Sequence, residues 1–348
     1  MRSHLRAALV LALAVGLLAL FLQNINLWRV AADIARAKPQ WLALSLAMTV
    51  VSLVIRAWRW KFLLEPLGST SFGSAFRATA VGYAATSVLP ARAGEVIRPY
   101  FLARTGPQDE RITATGAFAT IILERLLDTI TVLILLALFV FTSGQDISAT
   151  SPVAFAAVKW AGALAGLVSA GSLVALFVVA GDPGRFGRLW ARLEQVVPSA
   201  LAGLIAKIAE KFALGLGAIR RPGRLLLALV WSFPLWLTIC LGIWAVTEAF
   251  GLNVPFMGSF LLDAVLVLGV AVPTPGAVGG FHEAFRVAAT VFFSAPDEIA
   301  VAAAIVLHLF SIGPSLVLGL LFAAQAGLNM GSMRRLADGA HAHPGPTA

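Results

Sequence analysis

The sequence predicts an all-α polytopic membrane protein, with about six transmembrane helices and two re-entrant helical hairpins in an inverted repeat. Three observations lead there. Of 348 residues, 59% are hydrophobic and 12% charged, and the mean hydropathy is +0.88; soluble globular domains carry about a quarter charged residues. Six apolar stretches reach the ~20 residues that a spanning helix needs. Two further apolar stretches are interrupted by proline and glycine, and each lies between two of the long ones.

The elements follow in order. Residues 5–22 open with Arg6 after Arg2 and run apolar to Leu22 without a small-residue cleavage site, so an uncleaved signal anchor is expected rather than a secretory leader. Residues 41–64, 113–141, 153–180, 225–249 and 299–327 complete the six spans. The stretch 72–104 breaks at Pro90-Ala-Arg92-Ala-Gly94, and 256–293 breaks at Pro273-Thr-Pro275-Gly276-Ala-Val-Gly279-Gly280. Such breaks leave backbone groups unpaired in lipid unless protein surrounds them, hence the hairpin reading. Residues 186–220 place Leu201, Leu204, Ile205, Ile208 and Phe212 on one helical stripe opposite Lys207, Glu210 and Lys211, as an interfacial connector does. Residues 1–328 form one transmembrane domain, and 329–348, with Arg334, Arg335 and His-Pro-Gly-Pro, are expected to be a disordered cytoplasmic tail.

Positive residues prefer cytoplasmic loops. With six crossings, two hairpins that dip back, and a cytoplasmic amino terminus, twenty of the 26 Lys and Arg fall inside and four outside, with Arg125 and Lys159 within spans. Both termini are then cytoplasmic in an inner membrane. The units 41–141 and 225–327 repeat the order helix, hairpin, helix at an offset of about 185 residues, which pairs Pro90 with Pro275 and Gly94 with Gly279. Three spans separate corresponding helices, so the units lie in opposite orientations, as in many transporters.

Several function classes drop out. The formal charge of +9 resides in few charges on a very apolar chain and suits membrane-facing loops better than nucleic acid. Cys240 stands alone, so a disulfide within the chain is impossible, and its apolar setting suits a buried hydrophobe. There is no phosphate-binding Gly-rich loop with Lys, no His-Glu-x-x-His and no nucleophile elbow, so no cofactor or metal is expected and the chain is read as a non-enzyme.

What remains is charge inside the membrane. The first hairpin carries Arg92, Gly94, Glu95 and Arg98, and the next span carries Glu124, Arg125 and Asp128, the two carboxylates one helical turn apart. Charged side chains at that depth cost a few kcal/mol each unless paired or hydrated. They are either loop charges and an internal ion pair, or one site in which arginines bind an anionic headgroup while carboxylates position them or take up a proton. In the second unit Gly279 and Gly280 restart a half-helix whose unpaired N–H groups suit an anion, followed by His282, Glu283 and Arg286. His308 falls near the Glu124 turn of the other unit, as a buried histidine or a proton carrier.

Together, Pro90-x-Arg92-x-Gly94-Glu95-x-x-Arg98, Glu124-Arg125-x-x-Asp128 and Pro273-x-Pro275-Gly276-x-x-Gly279-Gly280-x-x-Glu283 resemble the lysylphosphatidylglycerol synthase transmembrane, flippase-like family over about 40–327. The resemblance implies a lipid flippase fold and a substrate site at Arg92, Gly94, Glu95, Arg98, Glu124, Arg125, Asp128, Pro275, Gly279, Gly280, Glu283 and His308. The chain departs from full-length synthases in having no soluble aminoacyl-transferase domain, so lipid synthesis is not expected. His308 also stands where the family would have arginine or tyrosine. The function expected is transport of an anionic, phosphate-bearing lipid, such as a phospholipid or polyprenyl phosphate, across the inner membrane. The alternatives are a membrane-embedded transferase on a lipid-linked substrate and a scaffold subunit of an envelope-lipid complex.

Overall fold

The computed structural model describes residues 15–23, 25–89, 92–105, 112–181, 222–272 and 274–327. The interfacial connector and the carboxy-terminal tail lie outside the described residues, as does most of the first expected span, of which 15–21 form a short helix, α1. The described elements are helical: α2 Leu27–Arg36, α3 Pro39–Leu64, α4 Phe72–Val88, α5 Gly94–Thr105, α6 Ala114–Thr150, α7 Pro152–Gly181, α8 Pro222–Ala249, α9 Gly258–Ala271, α10 Gly280–Phe293 and α11 Asp297–Gln325. Among the described residues there is no strand.

Local chemistry sets the boundaries. Asn26 Oδ1 caps α2 by accepting from the Trp28 and Arg29 amides, and Ser71 Oγ caps α4 by accepting from Ser74 N–H. Pro39 opens α3 where its missing N–H costs nothing, and α11 starts with Asp297 and Glu298 on its positive end. Among the described residues five helices, α3, α6, α7, α8 and α11, are long and apolar enough to cross a membrane. Their outward faces remain apolar: Phe141, Trp160 and Leu167 are 91%, 77% and 73% exposed, which suits lipid as the surrounding solvent.

The two broken segments form paired short helices. At 14 residues each, α9 and α10 span about 21 Å, short of the ~30 Å hydrocarbon core. α4 packs on α5 and α9 on α10, and in both pairs glycines meet at the closest approach. A Cβ on Gly94 would overlap the Gly82 carbonyl, and a Cβ on Gly280 would lie 2.5 Å from the Gly269 carbonyl oxygen. The bends also match. Arg92 has φ 53° and Ala277 has φ 58°, both left-handed non-glycine residues, and they are 185 positions apart. Both bends are only partly exposed, packed among neighbouring protein that can pair their backbone groups.

Packing repeats as well. α3 packs on α8 at the centre. The contacts of α4 with α11, α3 with α4, α5 with α6, α3 with α11 and α3 with α6 are matched by those of α9 with α6, α8 with α9, α10 with α11, α8 with α6 and α8 with α11. The hairpin tips meet each other: Arg92 Nη2 donates to the Val270 carbonyl at 3.0 Å, and a Cβ on Gly276 would approach Ser87 O at 2.9 Å.

Candidate functional site

Four arginines and two carboxylates converge where α3, α5 and α6 pack. On α3, Arg56 and Arg59 are three residues apart and share a face; Arg98 comes from α5; Glu124, Arg125 and Asp128 come from α6. Arg59 and Glu124 are fully buried, and Arg56, Arg98 and Asp128 are 8%, 3% and 4% exposed.

Glu124 is the hub. Its Oε1 accepts from Arg98 Nη1 at 3.1 Å and Arg125 Nη2 at 2.8 Å, with Arg59 Nη2 at 3.6 Å and Arg56 Nη1 at 3.9 Å. Asp128 Oδ1 lies 2.6 Å from Arg59 Nη1 and accepts from Trp236 Nε1 at 3.0 Å. Its Oδ2 lies 3.4 Å from Arg125 and 3.6 Å from Arg56. Arg125 therefore joins both carboxylates rather than Asp128 alone. Arg98 stacks on the Trp60 ring at 3.9 Å, and Trp60 Nε1 is anchored on Thr120 Oγ1 at 3.0 Å, which locks the guanidinium plane.

The cluster carries four formal positive charges against two negative. Six guanidinium nitrogens, from Arg56 Nη1 to Arg125 Nε, have no hydrogen-bond partner in the protein, against one oxygen each of Glu124 and Asp128. Buried donors left unpaired are costly, so a surplus this large suits a ligand that brings acceptors and negative charge. Beside Arg56 lies an open cavity of about 170 Å³ lined by residues of α3, α4, α8 and α11. Arg56 reaches it with its guanidinium 5.1 Å from the Tyr83 ring.

Other residues singled out in the sequence lie elsewhere. Arg92 is 41% exposed at the hairpin tip, held to Val270 and 3.9 Å from Glu95, which is itself 34% exposed. The left-handed turn at Arg92 restarts the chain as α5, so that Arg98, one turn beyond Gly94, faces α6 while Arg92 and Glu95 do not. Gly94 serves the hairpin contact. Glu283 is held bidentately by Arg286, at 2.9 and 2.6 Å, and Arg286 reaches Asp297 at 3.2 Å, a network at the edge of the second hairpin. Gly279, with φ 86°, donates its N–H to His282 Nδ1 at 3.3 Å, and His308 Nε2 donates to the Gly276 carbonyl at 2.7 Å. The two imidazoles meet edge to face, 4.4 Å between centroids and with ring planes 60° apart. Pro275, Gly276, Gly279, Gly280 and His308 thus build the second tip, separate from the arginine cluster.

Arg56 and Arg59 belong to the twenty positive residues expected on the inner side, and the structure buries them in α3 instead. With Arg98 also buried, seventeen positive residues remain on the expected inner side against four, so the bias keeps its sign. The one signal they carry is a three-residue spacing near the end of an apolar span, just ahead of Lys61. Asp263, on α9, is 3% exposed with Oδ2 unpartnered and also escapes a search for motifs. No group of three or more histidine, cysteine or acidic residues with metal-binding geometry exists among the described residues.

Comparison with known proteins agrees with this architecture. The chain is 30% identical over 108 residues to the UPF0104 membrane protein MJ1595 of Methanocaldococcus jannaschii, an overlap of 30% of this chain and 31% of that protein. Over residues 7–319 it matches the profile of the lysylphosphatidylglycerol synthase TM region, which contains all the helices of both units nearly to the end of α11. A match over most of the length, on a helical membrane fold, makes this chain a member of the lysylphosphatidylglycerol synthase transmembrane-region family.

Proposed function

We propose that this chain is a lipid flippase of the cytoplasmic membrane that moves an anionic, phosphate-bearing lipid, with the arginine cluster as its headgroup site. The supporting observation is the surplus of unpartnered guanidinium donors in the cluster, of which Arg56 lines a cavity. Arginine presents a planar fork of donors that matches phosphate oxygens two at a time. Glu124 and Asp128 hold those forks in position, and the entering phosphate supplies the missing acceptors. The protein makes and breaks no covalent bond in this reading.

The movement follows from an inverted repeat in which matching hairpins enter from opposite sides and rock against each other. The shared packing and the shared left-handed bends support that arrangement. With Cys240 replaced by alanine, single cysteines at Ala93 and Ala277 are expected to label from opposite sides of the membrane; labelling of both from one side contradicts it. The transport claim is tested by translocation of a fluorescent phosphatidylglycerol in proteoliposomes. Wild-type protein is expected to move it and Arg56→Gln to lose most of that rate at an unchanged melting temperature. Equal rates in the two proteins overturn the assignment.

A further inference from the structure

The cavity beside Arg56 has a lining whose polarity can be read in detail. Most of its hydroxyl groups sit on helices and donate their single proton to a carbonyl of their own helix: Thr49 to Ser45 O at 3.1 Å, Ser52 to Thr49 O at 2.8 Å, Thr238 to Leu235 O at 2.7 Å, Ser311 to Leu307 O at 2.7 Å and Ser315 to Ile312 O at 3.0 Å. A hydroxyl has one proton and two lone pairs, so what these five retain for the cavity is acceptor capacity. Only Ser45, whose buried Oγ has no partner, and Tyr83 bring hydroxyls to this lining without a hydrogen bond in the protein. The lining therefore asks for a ligand rich in donors.

Two chemistries supply donors next to a phosphate: the hydroxyls of a polyol or sugar, and an ammonium group. Charge decides between them. Arg56 contributes the formal charge of the described lining, and no carboxylate is part of it. Glu124 and Asp128 are already engaged by arginines. An ammonium brought here would be desolvated beside a guanidinium with no carboxylate in the lining and only a phosphate already shared with the arginines, whereas neutral hydroxyls meet lone pairs at no such cost. Leu53, Ile239, Ile243 and Pro314 complete the lining with apolar surface suited to the carbon face of such a group.

We propose that this cavity selects an uncharged, hydroxyl-bearing headgroup, a polyol or sugar joined to the lipid through a phosphate diester, over an amine-bearing one. The inference rests on the arginine cluster being the phosphate site and specifies what lies beyond the phosphate.

The test is a binding comparison with the purified full-length chain in mild detergent, read by intrinsic tryptophan fluorescence or native mass spectrometry. The probes are phosphatidylglycerol, phosphatidylinositol, phosphatidylpropanol and phosphatidylethanolamine, with diacylglycerol as the phosphate-free reference. Phosphatidylpropanol carries the same charge as phosphatidylglycerol without its hydroxyls. Phosphatidylglycerol or phosphatidylinositol is expected to bind about tenfold more tightly than phosphatidylpropanol, the effect of losing one or two net hydrogen bonds. Which of the two is tighter separates a glycerol-type from a ring-type headgroup. Thr49→Val with Ser311→Ala is expected to erase that preference while phosphatidylpropanol binds as before. Equal binding of phosphatidylglycerol, phosphatidylinositol and phosphatidylpropanol, all above diacylglycerol, overturns this inference and leaves the phosphate site standing. Tightest binding of phosphatidylethanolamine also overturns it. Binding of every phospholipid no better than diacylglycerol overturns both readings.

Discussion

The two units of this protein share a scaffold and differ in charge. In the first, α3 to α6 bring four arginines and two carboxylates into one cluster, buried except for the partly exposed Arg125. In the second, α8 to α11 repeat the long helix, glycine-closed hairpin and long helix, with a left-handed bend at the matching position. At positions corresponding to Arg59 and Arg98, about 185 residues on, stand Trp244 and Glu283. The scaffold thus assembles in the second unit without a buried arginine cluster. Buried ion pairs add little net stability compared with apolar packing of the same volume. Their concentration in one unit is therefore the ground for proposing a ligand there, beyond any role in holding helices together.

That contrast is open to attack at several strengths. The largest effect is expected at Arg59, fully buried and 2.6 Å from Asp128. Arg59→Gln leaves a carboxylate short of its partner and is expected to lower stability by about 3–5 kcal/mol, seen as a large drop in melting temperature in detergent. Glu283→Gln, which opens a partly exposed pair in the second unit, is expected to cost about 1 kcal/mol or less. Similar losses at both sites would remove the distinction between the units.

The hairpins are expected to behave alike, because closure there is packing and not charge. Gly94→Ala and Gly280→Ala each push a methyl group into a facing glycine carbonyl, and each is expected to cost about 1–3 kcal/mol. A loss at Gly94 with none at Gly280 would show that the second hairpin is not closed as the first is. A finer division lies within the first unit. Arg98→Lys keeps the charge but loses the planar fork and the stack on Trp60, so translocation of fluorescent phosphatidylglycerol is expected to fall about tenfold. Arg92→Lys, half-exposed and hydrogen-bonded to a carbonyl that an ammonium also reaches, is expected to change it less than twofold. A larger loss at Arg92 than at Arg98 would move the headgroup site to the hairpin tip.

Much of this was legible in the sequence. Apolar length identified the five described spans, and the proline and glycine breaks identified both hairpins, because membrane-spanning backbone has few permitted forms. Glu124, Arg125 and Asp128 stood out as charges within a span. Arg56 and Arg59 did not, since they follow the most apolar part of 41–64 and lie close to Lys61 and Glu65, where a helix end meets water equally well. Only the packing of α3 against α6 and α8 turns them inward. Arg92 and Arg98 are both six residues or fewer from Gly94, and spacing alone does not say which faces the protein interior; the left-handed turn at Arg92 decides it. Asp263 belongs to no motif, and its one signal is that of a lone acid inside the apolar stretch 256–293.

The central claim is that the buried arginines exist to hold a phosphate-bearing lipid. Quantitative mass spectrometry of the lipids that co-purify in mild detergent addresses it directly, with wild-type protein beside Arg56→Gln and, as a control outside the cluster, Arg286→Gln. Wild type and Arg286→Gln are expected to retain the same anionic phospholipid or lipid phosphate in near-stoichiometric amount, and Arg56→Gln to lose it while remaining folded. An identical lipid complement in all three proteins would contradict the account.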